Sequence, residues 1–246
     1  VARRKFWDLY NDCDQLEPER GAVAFEDLDP HSQRVFEAND YTKFDIQPQD
    51  VRNARQGYFA NISYVDDKIG DILDVLDRTR MADNTIIVVC SDHGDMIGEK
   101  GLWFKMSPYE GSSRVPLMLA APGLSQANVD APVSTIDINA TLADIVGIDL
   151  AEIEPWTDGQ SLVPLAKGEA RDAPVYLEYA AEGTYAPLVT IREGNYKFNH
   201  CEIDPPQLFD LEADPGETTN LADDPEYAEV LAQYQAKVRN RWDMDG

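Results

Sequence analysis

The stretch SDHGDMIGEKGLWFKM, Ser91 to Met106, sets an aspartate beside a histidine and follows them with a lysine between aromatic residues. A carboxylate and a neutral imidazole both donate lone pairs to a divalent cation, and Gly94 permits the close or left-handed backbone that adjacent ligands often need. Asp92 and His93 therefore suggest a metal site. The ammonium of Lys105 can reach back to neutralise an anionic group held there, with Trp103, Phe104 and Met106 holding its stem against an apolar wall. A plainer reading stays open: Asp92 caps a turn, His93 is a partly buried, satisfied side chain, and Lys105 is solvated. Two ligands alone do not make a site. Glu110 and Arg114, at i,i+4, read as an ion pair. His31, in the turn-like DPHSQR, reads as exposed, and His200 and Cys201 end a strand without ligand partners, so these read as structural.

The elements around the pair follow from apolar periodicity. Residues 1–50 are irregular, with DLDPH and DIQPQD as turn punctuation and room for a short helix or two. From Val51 to Arg80, Tyr58, Ile62, Val65, Ile69, Ile72 and Leu76 recur in steps of four and three, which predicts a long helix packed on a sheet. Ile86 to Cys90 reads as a strand buried on both faces, of the parallel α/β kind, with Asp92 and His93 at its carboxyl end, where open α/β sheets bind ligands. SPYEGSSR fits one or two helical turns, VPLMLAAPG a second buried strand, and STIDINATLADIVGI a helix ended by Gly147. Beyond about residue 155 the pattern changes to alternating strands, PVYLEYA, PLVTIREG and YKFNH, then QLFDL, a turn at Asp214-Pro215-Gly216 and a final helix over 226–241.

At 246 residues, 43% of them apolar, the chain can bury a substantial core. Its 46 acidic against 21 basic residues give a net charge of −25, which disfavours nucleic acid and anionic membrane surfaces as partners. Cys13, Cys90 and Cys201 are too few and scattered for a disulfide framework or a zinc ribbon and fit a cytoplasmic, reducing location. No apolar run approaches a membrane span.

SDHGDMIGEKGLWFKMSPYEGSSRVPLMLAAPG resembles the second metal-binding motif of the sulfatases in the alkaline phosphatase superfamily, and QLFDLEADPGETTNLA resembles their C-terminal signature. YFANISYVDDKIGDILDVLDRTRMADNTIIVV, the Asp-His-Gly form of the motif, GLWFKM and EYAAEGTYAPLVTIR are similar to the choline sulfatase branch. The resemblance implies an α/β fold of the alkaline phosphatase type. It would be a sandwich of helices around a mainly parallel sheet, only partly contained in this chain (1–155), followed by a small antiparallel sheet with a C-terminal helix (156–246). It implies that Asp92 and His93 ligate one divalent cation, calcium, manganese or magnesium, and that Lys105 binds the sulfate group. It also places a carboxylate for a quaternary ammonium in EYAAEG, where Glu182, beside Tyr179 and Tyr185, is preferred to Glu178. The implied substrate is a small sulfate ester, choline sulfate. None of the three cysteines lies in the Cys/Ser-x-Pro-x-Arg motif that becomes formylglycine. The nucleophile and further ligands are therefore expected on an N-terminal segment outside this chain, and a homo-oligomer is expected. A phosphonate or phosphate ester hydrolase of the same superfamily, or a non-catalytic metal- or cation-binding fragment, is the alternative.

Overall fold

A computed structural model describes residues 3–18, 21–171 and 173–242. Helix α1 (Arg4–Trp7) lies against the long helix α3 (Pro48–Thr79), and between them in sequence comes α2 (Pro30–Ala38). Both α2, in a stretch expected to be irregular, and α3, which begins at Pro48 rather than Val51, start at polar caps. Asp29 accepts the Ser32 N–H at 3.1 Å with Pro30 at the first helical position. Asp50 likewise accepts the Gln47 N–H at 3.0 Å with Pro48 first in the helix.

After α3 the chain forms β1 (Ile87–Cys90), the short ladder β2 (Met96–Ile97) and β3 (Trp103–Phe104), the single turn α4 (Glu110–Ser113) and β4 (Leu117–Ala120). Helices α5 (Asp137–Val146), α6 (Leu150–Ile153) and α7 (Val163–Ala166) follow, α5 ending at Gly147 with φ +78°. The antiparallel sheet β5 (Val175–Tyr179), β6 (Leu188–Glu193), β7 (Tyr196–Cys201) and β8 (Gln207–Asp210) runs in sequence order, and α8 (Ala228–Arg241) closes one of its faces.

This sheet obeys the two-residue period of a strand. Val189, Ile191, Phe198 and Leu208 meet Tyr234 and Val238 of α8 in one buried cluster. Alternate residues turn the other way, where Phe209 joins Met96, Leu102 and Tyr109. On that face the buried polar groups pair across strands, Thr190 Oγ1 to Asn199 Oδ1 at 2.8 Å and Asn199 Nδ2 to Gln207 Oε1 at 3.1 Å.

The α/β class and the small antiparallel sheet with its C-terminal helix are as the sequence predicted, and three local expectations change. Strand β1 pairs with β4 antiparallel, Val88 opposite Leu119, and both strands are half-buried rather than covered on two faces. The predicted buried stripe of α3 is exposed at Ile62, Val65 and Ile72. The helix instead buries Gln56 and Ala60, on its α1 side, where Gln56 Nε2 donates to the Trp7 carbonyl at 3.0 Å. Glu110 does not pair with Arg114: α4 is a single turn, and the buried Lys197 ammonium reaches Glu110 Oε1 at 2.9 Å and Glu217 Oε1 at 3.0 Å.

Candidate active site

Asp92 and His93 leave the end of β1 in a loop whose shape depends on Gly94. The Gly94 N–H donates to the Ser112 carbonyl at 2.8 Å, and a Cβ on Gly94 would stand 2.3 Å from the Gly111 carbonyl oxygen. The glycine expected from the sequence is thus required for close backbone approach. The His93 ring is set by its own neighbour: Nδ1 lies 2.8 Å from the Gly94 carbonyl, an acceptor only, so the neutral ring carries its proton on Nδ1 and its lone pair on Nε2. Nε2 stands 3.5 Å from Asp92 Oδ2. Backbone N–H groups of Asp92 and His93 hold the exposed Asp92 carboxylate below the usual carboxylate range, so it is anionic at neutral pH.

Two lone pairs therefore converge. Ligand atoms on adjacent corners of a divalent cation's shell stand about 3.0–3.5 Å apart, so these two side chains fit one metal ion as a pair. Among the described residues no third carboxylate, imidazole or thiol joins them.

Lys105 is exposed, and its position is fixed through its backbone. Phe104, just before it, takes the left-handed conformation at φ +65°, a strained choice for a bulky residue that ends the β2–β3 ladder. The Lys105 carbonyl then accepts from the Ser112 hydroxyl at 2.6 Å and the Ser107 N–H at 2.9 Å. One buried residue, Ser112, thereby moors both the Asp92-His93 loop and the Lys105 loop.

Glu182 lies in the exposed turn between β5 and β6, where Tyr179 Oη is 3.1 Å from its carbonyl and 3.3 Å from Oε2. Burial, with Glu182 nearby, pushes the Tyr179 phenol up to about 12, so it remains a donor. Glu178 is occupied elsewhere, accepting from Trp242 Nε1 at 2.6 Å. No direct contact joins Glu182 to Lys105, Asp92 or His93 among the described residues.

Sequence reasoning misplaced one residue here. His31, expected in an exposed turn, is 2% exposed inside α2, with Nε2 2.9 Å from the Met106 carbonyl and Nδ1 3.2 Å from the Gly183 carbonyl. The Asp29-Pro30 cap signal could have revealed the helix; partners 75 and 152 positions away could not be read from local pattern. Ser112 carried no signal beyond its place in a helical turn. His200 is half-buried in β7 and Cys201 is buried beside the Ala186 carbonyl, in keeping with structural roles.

A model of the sulfatase family matches residues 27–148, and one described as N-sulphoglucosamine sulphohydrolase, C-terminal, matches residues 98–243. A choline-sulfatase of Rhizobium meliloti (strain 1021) is 55% identical over the whole chain, and the chain spans 48% of that protein. Arylsulfatase K of Gallus gallus is 36% identical over 71% of the chain and 34% of its own length. The chain thus spans half or less of these relatives. A sulfatase structure from Bacteroides thetaiotaomicron superposes with a TM-score of 0.77 at 27% identity, over 89% of this chain and 50% of that one. A phosphonate monoester hydrolase of Agrobacterium radiobacter superposes with a TM-score of 0.68 at 30% identity, over 80% and 42%.

Proposed function

Because the chain belongs to the sulfatase family, we propose that it is the C-terminal part of a sulfuric ester hydrolase that cleaves choline sulfate to choline and sulfate. The observation that carries the chemistry is the convergence of Asp92 Oδ2 and His93 Nε2 on a loop sharing its Ser112 mooring with Lys105. The substrate rests on the 55% identity with a choline-sulfatase along the whole chain.

In this reading Asp92 and His93 hold one divalent ion, calcium, manganese or magnesium, with further ligands from the N-terminal segment. When bound, that ion would polarise the sulfuryl oxygens and orient the formylglycine nucleophile, which is also assigned to that segment. Lys105 offsets the negative charge that grows on those oxygens as the S–O bond breaks. A quaternary ammonium has no N–H to donate, so it must be held by charge and by π-faces, and Glu182 with Tyr179 and Tyr185 supplies both. We also propose a division near residue 155 between α/β core and C-terminal subdomain, a cytoplasmic location consistent with the three free thiols, and a homo-oligomer.

In the full-length protein, Asp92→Ala or His93→Ala is expected to abolish turnover and lower bound metal by elemental analysis without unfolding. Unchanged metal content in both variants overturns the assignment. Lys105→Ala is expected to lower kcat/KM about 100-fold or more. The likeness to a phosphonate monoester hydrolase favours one rival, turnover of phosphonate or phosphate esters. Higher kcat/KM for a phosphate ester than for choline sulfate would select it. No hydrolysis of either, with formylglycine present, would leave a binding fragment.

A further inference from the structure

Helix α2 touches both halves of the proposed site. Toward Lys105 it grips both flanks. His31 Nε2 bonds the Met106 carbonyl at 2.9 Å, Val35 packs with Tyr41 and Met106, and Tyr41 Oη, one turn beyond the helix, donates to the Trp103 carbonyl at 3.1 Å. Toward Glu182 it holds the next residue, Gly183, from three sides. His31 Nδ1 and Arg34 Nε meet the Gly183 carbonyl at 3.2 and 2.6 Å, while a Cβ on Gly183, at φ +80°, would lie 2.6 Å from Val35 Cγ2.

Arg34 is itself locked by two bonds to Asp204, at 2.9 and 2.5 Å, and its guanidinium lies 5.2 Å from the Tyr185 ring centroid. Both ring nitrogens thus stand within hydrogen-bond distance of a carbonyl oxygen, one on each side of the ring. This buried ring is thus a direct strut between the Lys105 loop and the Glu182 turn.

Resting on the reading that Lys105 meets the sulfate and Glu182 the ammonium, we propose that His31, backed by Arg34, is a positioning residue that fixes the spacing of those two charges. The strut then acts as a ruler, selecting sulfate esters whose cationic end stands at one set distance from the sulfate. A substrate carrying opposite charges at its two ends is recognised by that distance as much as by either contact. One methylene too many would force either the sulfate or the ammonium out of register.

The test compares choline sulfate, its homologue with one more methylene between oxygen and nitrogen, and an uncharged aryl sulfate, all with the full-length enzyme. The wild type is expected to prefer choline sulfate over the homologue by about tenfold or more in kcat/KM. His31→Gln places an amide N–H near the Nε2 position, keeping the Met106 bond and losing the Gly183 bond. It should raise KM for choline sulfate and shrink the preference to roughly threefold or less, with aryl sulfate within about twofold of wild type.

His31→Asn keeps the Gly183 bond and frees Met106, and should lower kcat on all three substrates. If either His31 variant fails to fold, Arg34→Gln releases Gly183 from the other side and should blur the length preference in the same way. Folded His31→Gln and Arg34→Gln variants with an unmoved preference, or with all three substrates falling in parallel, overturn the ruler. Lys105→Ala and Glu182→Gln serve as controls. If Lys105→Ala turns over normally, or Glu182→Gln leaves the choline sulfate KM unchanged, the underlying site reading fails and the ruler with it. If both controls respond and the preference does not move, the ruler alone fails.

Discussion

The sheet β5–β8 with α8, and the elements α3, β1 and β4, are patterned with the same kinds of apolar residue, yet they end in opposite states. In the first, Phe198, Ile191 and Leu208 are wholly buried against Tyr234 and Val238. In the second, Ile72 is 62% and Met118 58% exposed, and Ile62 and Val65 lie open on the same helix. Periodicity reports that a face is to be covered; it does not report that the cover lies in the same chain. Exposed apolar residues in such number suit an interface, and the chain spans 48% of its choline-sulfatase relative. The proposed metal pair sits at the end of β1, on the open layer, whereas the proposed cation turn belongs to the closed sheet.

The comparison breaks first at the closed core. Phe198→Ala in the 246-residue chain should cost about 3–5 kcal/mol in urea unfolding, because the cavity opens in the middle of the β7–α8 contact. A loss under about 1 kcal/mol would show that the sheet does not hold itself together.

At the seam between the regions, Asp204→Asn should cost about 2 kcal/mol by weakening the nearly buried pair with Arg34. The sign with pH follows from the Arg34 hydrogen bond, which holds the Asp204 carboxyl below its ordinary value. Its stabilisation is complete above the unfolded-state carboxylate range and is lost as pH falls through the folded value. Wild type and variant should therefore converge in acid, and a gap that persists or widens there would contradict the pairing.

Gly183→Ala, at the same seam, should cost about 1–2 kcal/mol for the left-handed backbone, plus whatever Val35 must yield, and is read in the same unfolding experiment. The smallest effect belongs to the open layer: Ile72→Ala should change the stability of the 246-residue chain by no more than about 0.5 kcal/mol. In the full-length protein the same substitution should cost about 2 kcal/mol or more if the face is covered. Equal small effects in both would remove the interface reading.

What the sequence made legible follows the same division. Helices α3, α5 and α8 and all four strands of the antiparallel sheet were readable because local periodicity and caps determine them. The proposed choice of Glu182 over Glu178 rests on resemblance, and in the structure Glu178 is engaged by Trp242. The Glu110–Arg114 pair misled because i,i+4 spacing predicts contact only along a continuous helix, and α4 ends after one turn. His31 was hidden because its burial comes from two loops far away in sequence, and β1 looked doubly buried because an apolar run is silent about strand direction and about which neighbours are present.

Ser112 holds two loops by two different kinds of atom. Its carbonyl, which receives Gly94, is present whatever amino acid stands there, whereas its hydroxyl, which holds Lys105, exists only while the residue is serine or threonine. The metal arm of the proposed site is therefore anchored by the path of the main chain and is inherited with the fold. The lysine arm hangs on one side-chain oxygen and can be loosened by a single base change. The two halves of the proposed site thus differ in how freely descent can adjust them, and variation in sulfate handling should accumulate faster than variation in metal handling.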